Sequence, residues 1–103
     1  MKILFLGDVV GLSGCRKITN DLLIQIQKNN IDFVIINGEN ADDTGVGLTK
    51  EICKDFFENG VDVITTGNHV WDQKDIMNFI DKENRLLRPK NLFEPAPGRG
   101  FEI

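Results

Sequence analysis

Three polar clusters in this chain carry side chains that can do chemistry: Asp8, the pair Glu39-Asn40 and the pair Asn68-His69. The last holds the only histidine in the sequence and follows Gly67 at the end of the apolar run Val61-Asp62-Val63-Ile64-Thr65-Thr66. A side-chain amide beside an imidazole, delivered from a strand end by a tight glycine turn, sets a metal ligand next to a proton donor. Two carboxylates, two amides and an imidazole are the oxygen and nitrogen donors that Mn²⁺, Fe and Zn²⁺ accept. One carboxylate can bridge two such ions. A two-metal site clamps the attacking and leaving oxygens of an in-line displacement at phosphorus and lowers the pKa of a bound water. Phosphoester hydrolysis is the chemistry such a set does best.

Taken singly, each cluster has an ordinary explanation. Asp8 can cap a helix or satisfy loop amides, Glu39-Asn40 can be solvated loop residues, and a lone histidine in a turn is more often a surface residue than a catalyst. Only their joint placement at three equivalent strand ends favours one site. The glycines of Gly7-Asp8-Val9-Val10-Gly11-Leu12-Ser13-Gly14 suggest a phosphate cradle, but their spacing fits neither a dinucleotide fingerprint nor a P-loop. Gly45 and Gly47 let the loop after the second strand bend around the site, and Asp42 and Asp43 read as solvated, with metal contact as the alternative. Trp71 reads as a core or lid aromatic, and Arg88 and Arg99 as surface arginines.

The elements that must position these residues follow from hydrophobic patterning. Apolar runs at Lys2 to Leu6, Asp32 to Ile36 and Val61 to Thr66 recur about every 30 residues, the length of a βαβ unit. Between them the periodicity predicts a helix from Ser13 to Gln27, with Ile18, Leu22, Leu23 and Ile26 on one face and Asn29-Asn30 as its stop. A second helix is predicted from Thr49, as cap, to Glu58, burying Ile52, Cys53, Phe56 and Phe57 before Asn59-Gly60. A third starts at Asp72, where Asp72 and Asp75 can cap the first turn, and buries Ile76, Met77, Phe79 and Ile80. A fourth strand is expected near Leu86-Leu87, and Phe101-Glu102-Ile103 looks like the first residues of another. The strands are nearly continuous in apolar residues, the pattern of a parallel sheet covered on both faces. The fold class is therefore α/β, a layered parallel-sheet βαβαβ unit. In such a sheet the loops at the carboxyl ends of the strands converge on the ligand, and all three polar clusters fall there.

Composition narrows the partners. The chain has 103 residues, 41% hydrophobic and 27% charged, so it holds about one small folded domain. Its net charge of −4, with no basic run interleaved with aromatics, argues against long nucleic acid. A small phosphorylated molecule stays open, because a bound divalent metal reverses the local sign of the charge. No apolar stretch reaches the ~20 residues of a membrane span, nor does the start resemble a signal peptide, so a cytoplasmic protein is expected. Cys15 and Cys53 lack Cys-x-x-Cys spacing and read as free thiols.

Several segments together resemble the calcineurin-like metallophosphoesterases: Met1 to Gly11, Asn37-Gly38-Glu39-Asn40-Ala41, Gly60 to Asp72, and Leu87-Arg88-Pro89. The branch they most resemble is the bacterial 2′,3′-cyclic-nucleotide 2′-phosphodiesterases. That resemblance implies the amino-terminal half of a metallophosphoesterase α/β sandwich, with residues 1–103 an incomplete part of one domain. It implies two divalent or trivalent ions (Fe, Mn or Zn), one held by Asp8, Glu39 and Asn40, with Glu39 bridging to a second that also takes Asn68. His69 would be the proton donor to the leaving oxygen or would stabilise charge developing in the transition state, and the substrate a small phosphodiester such as a 2′,3′-cyclic nucleotide. The superfamily usually begins Asp-x-His, but position 10 is Val10, and in this branch Asn40 takes that ligand's place. Family members are longer and add metal-binding histidines from their second half, whereas no histidine follows His69. The rival expectation is accordingly a non-catalytic remnant that serves as a binding or interaction module, with an exposed sheet edge that predicts self-association.

Overall fold

The computed structural model describes residues 1–103. Four strands, β1 (Ile3–Leu6), β2 (Phe33–Asn37), β3 (Val63–Thr65) and β4 (Leu86–Leu87), alternate with α1 (Gly11–Asn29), α2 (Lys50–Glu58) and the single turn α3 (Ile76–Phe79). All neighbouring strands pair in parallel in the order β1-β2-β3-β4, with Ile3 opposite Phe33, Ile35 opposite Val63 and Ile64 opposite Leu86. The α/β class expected from the patterning is the one observed.

The helix boundaries have local causes. Asn30 adopts the left-handed conformation at φ 52° and ends α1, as the Asn29-Asn30 pair suggests. Thr49 caps α2, its Oγ1 accepting from the Ile52 N–H at 3.2 Å. Asn59 closes that helix, and Gly60 follows at φ 96°. The third helix differs from expectation. It begins at Ile76 rather than Asp72, Asp75 stands at its N-cap without a side-chain cap bond, and Asp72 turns back toward His69.

A sequential strand order with right-handed crossovers brings every helix to the same face of the sheet. The burial pattern agrees. Val34, Ile36, Ile64 and Leu86 are buried under Ile18 and Leu22 of α1, Cys53 and Phe56 of α2, and Ile76 and Ile80. Each apolar side chain so buried contributes about 1.5–3 kcal/mol. On the opposite face Ile3 and Phe5 are 56% and 61% exposed, and Phe33, Ile35 and Val63 are half-buried. The sheet within this chain is thus covered on one face, not on both. The physical reason the pattern misleads is that the bare face is as apolar as the covered one.

Two side chains and one segment sit otherwise than their sequence context suggests. Arg88 is 3% exposed rather than superficial. Its guanidinium donates to the carbonyls of Pro97 (3.1 Å) and Pro89 (3.0 Å) and to Glu94 Oε1 (2.9 Å), pinning residues 89–97 over the end of β4. Asp42 is buried rather than solvated. Phe101-Glu102-Ile103 forms no strand; only Arg99 bridges to Leu87, beside β4. Cys15 and Cys53 are free thiols. Burial pushes both up from the ordinary thiol range, and the fully buried Cys53 much further. No helix is long and apolar enough to cross a membrane.

Candidate functional site

Because the strands are parallel and in register, their carboxyl ends lie side by side. Leu6 faces Ile36 and Asn37 faces Thr65, so the segments that leave β1, β2 and β3 emerge together. Backbone bonds lace the first two. Val9 N–H donates to Asn37 O at 3.1 Å, and Gly11 N–H to Asn40 O at 2.9 Å. This lacing brings Asp8 onto Asn40, whose Nδ2 donates to Asp8 Oδ2 at 2.8 Å. The other end of the same amide, Asn40 Oδ1, is buried and accepts no hydrogen bond. A buried acceptor without a partner is costly unless another group meets it.

The third segment joins through Gly67. A Cβ there would overlap both carboxylate oxygens of Glu39, so the bare glycine backbone is what lets that carboxylate lie against the turn. The His69 N–H points at Glu39 Oε2 over a long 3.5 Å. The structure therefore joins Asp8 to Asn40 and sets the carboxylate of the neighbouring Glu39 against the Gly67–His69 turn. Asn68 is adjacent in the same turn and exposed.

The donor set fits a hard or borderline cation on one side: two carboxylates and an unpartnered amide oxygen, within reach of solvent. No three side chains among His, Cys, Asp and Glu gather into a cage by themselves.

Around the cluster stand residues whose part the sequence does not disclose. His69 Nδ1 lies 2.7 Å from Asp72 Oδ2. Gln73 Nε2 donates to Asp42 Oδ2 and to Val46 O, both at 3.1 Å, tying the loop after β3 to the loop after β2. Burial opposes the charge of Asp42, but Thr44 outweighs it through its hydroxyl (2.7 Å) and its N–H (3.1 Å), and the carboxyl is held below its ordinary range. Gly47 admits the crossing, since a Cβ there would stand 2.9 Å from Gln73 Cγ and 3.1 Å from Asp72 Cβ. The three-residue step from His69 to Asp72 was the one available signal for their contact.

Comparison with known proteins agrees with this fold. A family model described as YmdB-like protein matches residues 4–103. The chain is 46% identical over 102 residues to the 2′,3′-cyclic-nucleotide 2′-phosphodiesterase of Bacillus subtilis (strain 168), an alignment covering 98% of this chain and 38% of that protein. A crystal structure described as a novel phosphatase from Mycoplasma pneumoniae superposes with a TM-score of 0.89 at 37% identity, covering 100% of this chain and 39% of the other. A hypothetical protein from Thermus thermophilus superposes with a TM-score of 0.87 at 35% identity, covering 100% and 40%. The chain thus spans about two-fifths of the length of these relatives.

Proposed function

The chain belongs to the YmdB-like family, and on that premise we propose that it serves metal-dependent phosphodiester hydrolysis, with a 2′,3′-cyclic nucleotide as substrate. The observation that supports this most is the Asp8–Asn40 pair, in which one amide binds a carboxylate and leaves its buried oxygen without a partner. Asp8, Glu39 and Asn40 would hold one ion, and Glu39 and Asn68 a second, of the Fe, Mn or Zn type. Such a pair supplies charge neutralisation at the phosphate and a nucleophile at neutral pH.

The chain's own part in the reaction lies at the leaving oxygen. Opening the cyclic diester at its 2′ position breaks the bond between phosphorus and O2′ while a water oxygen bonds to phosphorus. The departing alkoxide is strongly basic, so it leaves far faster when a proton is delivered to it. His69 stands beside Asn68 and Glu39; its ring would give that proton to O2′ and regain one from solvent after the product leaves. The product carries a free 2′ hydroxyl and a 3′ phosphate.

The test is hydrolysis of 2′,3′-cyclic AMP by the purified chain supplied with Mn²⁺, followed by chromatography for the 3′ phosphate. Loss of turnover in both His69→Ala and Glu39→Ala supports the reading. Absence of turnover together with absence of Mn²⁺ uptake by elemental analysis refutes it.

A second reading, a binding or interaction module without turnover, is favoured by the bare apolar face at Ile3 and Phe5. Metal uptake without hydrolysis, accompanied by self-association, would favour it over the first.

A further inference from the structure

We propose that Asp72 is the positioning residue of His69, fixing its ring so that Nε2 is the nitrogen presented to the substrate. The proposal rests on the reading of His69 as proton donor for its chemical meaning; its geometry stands independently.

Asp72 reaches back three residues from the turn that its own N–H closes on His69 O at 3.1 Å, and its Oδ2 lies 2.7 Å from Nδ1. A carboxylate only accepts, so Nδ1 carries the hydrogen of this bond. Nε2 is then the ring nitrogen left for a ligand. Which nitrogen of a histidine works is set by the bond the other one makes.

Helix capping does not explain Asp72. The helix begins four residues later at Ile76, with Asp75 at its N-cap. An exposed pair of this kind is weak when both partners are free to move, and the two side chains here are 37% and 39% exposed. What gives Asp72 a fixed place is its backing. Its Cβ packs on Gly47, and the next residue, Gln73, is bonded to the buried Asp42 and to Val46 O. Asp72 is thereby seated on the same loop that carries Glu39 and Asn40. The imidazole is registered against those donors twice, through the Gly67 turn and through Asp72.

The experiment uses the whole chain labelled with ¹⁵N in its imidazole, in metal-free buffer at alkaline pH. His69 is the only histidine, so one pair of ring nitrogens reports on it. Neutral histidine in water favours the hydrogen on Nε2. Wild type is expected to show it on Nδ1, Asp72→Ala to revert to Nε2, and Asp72→Asn, whose amide oxygen still accepts, to keep the wild-type pattern. Asp75→Ala is the control for a general disturbance of the turn and should leave the pattern unchanged. A wild-type pattern in Asp72→Ala, with the backbone spectrum intact, overturns the proposal, and so does an Nε2 hydrogen in wild type. In the kinetic arm Asp72→Ala should lower kcat for a cyclic nucleotide about 10- to 100-fold, as for other groups that orient a working imidazole. It should spare an aryl phosphodiester whose leaving group needs no proton. If wild type hydrolyses neither substrate, the functional reading fails, while the ring nitrogens still decide the role of Asp72.

Discussion

The Asn40 amide donates to Asp8 Oδ2 at 2.8 Å across 32 residues of sequence, and this bond closes the first two strand ends over one another. Replacing Asn40 by Asp sets a second carboxylate against Asp8. Like charges at this distance oppose each other, so Asn40→Asp should lower the urea midpoint at neutral pH in metal-free buffer. Added Mn²⁺ should restore more of that loss than it adds to wild type. A midpoint unchanged in both conditions would show that the two side chains do not interact in solution.

Gly67→Ala should fold but fail to take up metal. The backbone at Gly67 is not in the left-handed region, so alanine is conformationally acceptable there. The three atoms nearest its Cβ would all belong to the Glu39 carboxylate, which must swing away. Elemental analysis after dialysis against Mn²⁺ should find the metal content of Gly67→Ala reduced to that of Glu39→Ala, with circular dichroism unchanged.

Gly47→Ala meets both obstacles at once. Gly47 sits at φ 86°, which costs a residue with a Cβ about 1–2 kcal/mol. The added carbon would also stand 3.2 Å from the backbone nitrogen of Gln73. Thermal unfolding should show a loss of at least that size. The disturbance should travel to the His69 ring, shifting its nitrogens even though position 47 is remote in sequence.

Acid stability has an identifiable contributor in Glu83. Arg85 grips both its oxygens, at 2.8 and 3.0 Å, and that bond holds the carboxyl below its ordinary range. The unfolded chain binds this proton first as pH falls. The stabilisation from Glu83 is therefore fully present above about pH 4.3, the unfolded value, and is lost as pH drops through the lower folded value. In urea titrations wild type should exceed Glu83→Gln at pH 7, and the gap should close on acidification below about pH 4.

The bare face of the sheet should make the chain associate as concentration rises. Ile3 and Phe5 lie on an edge strand with one side of its backbone unpaired, the arrangement that invites strand addition. Phe5→Lys should hold the chain monomeric in light scattering at concentrations where wild type grows. A wild type that stays monomeric throughout would contradict this.

How much of this was legible beforehand depends on whether the cause was local. Asn30, Thr49 and Gly60 stop or start helices through their own conformational preferences and were readable as such. The strand ends carrying Asp8, Glu39 and Asn68 followed from spacing alone. Arg88 was not readable, because the carbonyls that bury it belong to Pro97 and Pro89 in a loop with no periodicity. Asp42 was hidden for a similar reason, since its partner Gln73 lies 31 residues away. Asp72 looked like a cap because acidic residues ahead of an apolar run usually are one, and only the late start of the helix freed it for His69. The uncovered face was hidden by composition, since apolar strands look alike whether or not anything lies on them.

The sequential strand order bears on how the chain is made. Each strand pairs with its immediate successor, 30 residues ahead from Ile3 to Phe33, 28 from Ile35 to Val63 and 22 from Ile64 to Leu86. No strand has to wait for a partner beyond the next one, so the loops to be closed stay short. A chain emerging from a ribosome can complete each βαβ unit before the following one is translated. The Asp8–Asn40 half of the site is then in place while Gly67-Asn68-His69 is still to be synthesised, and the imidazole arrives last, onto donors already fixed.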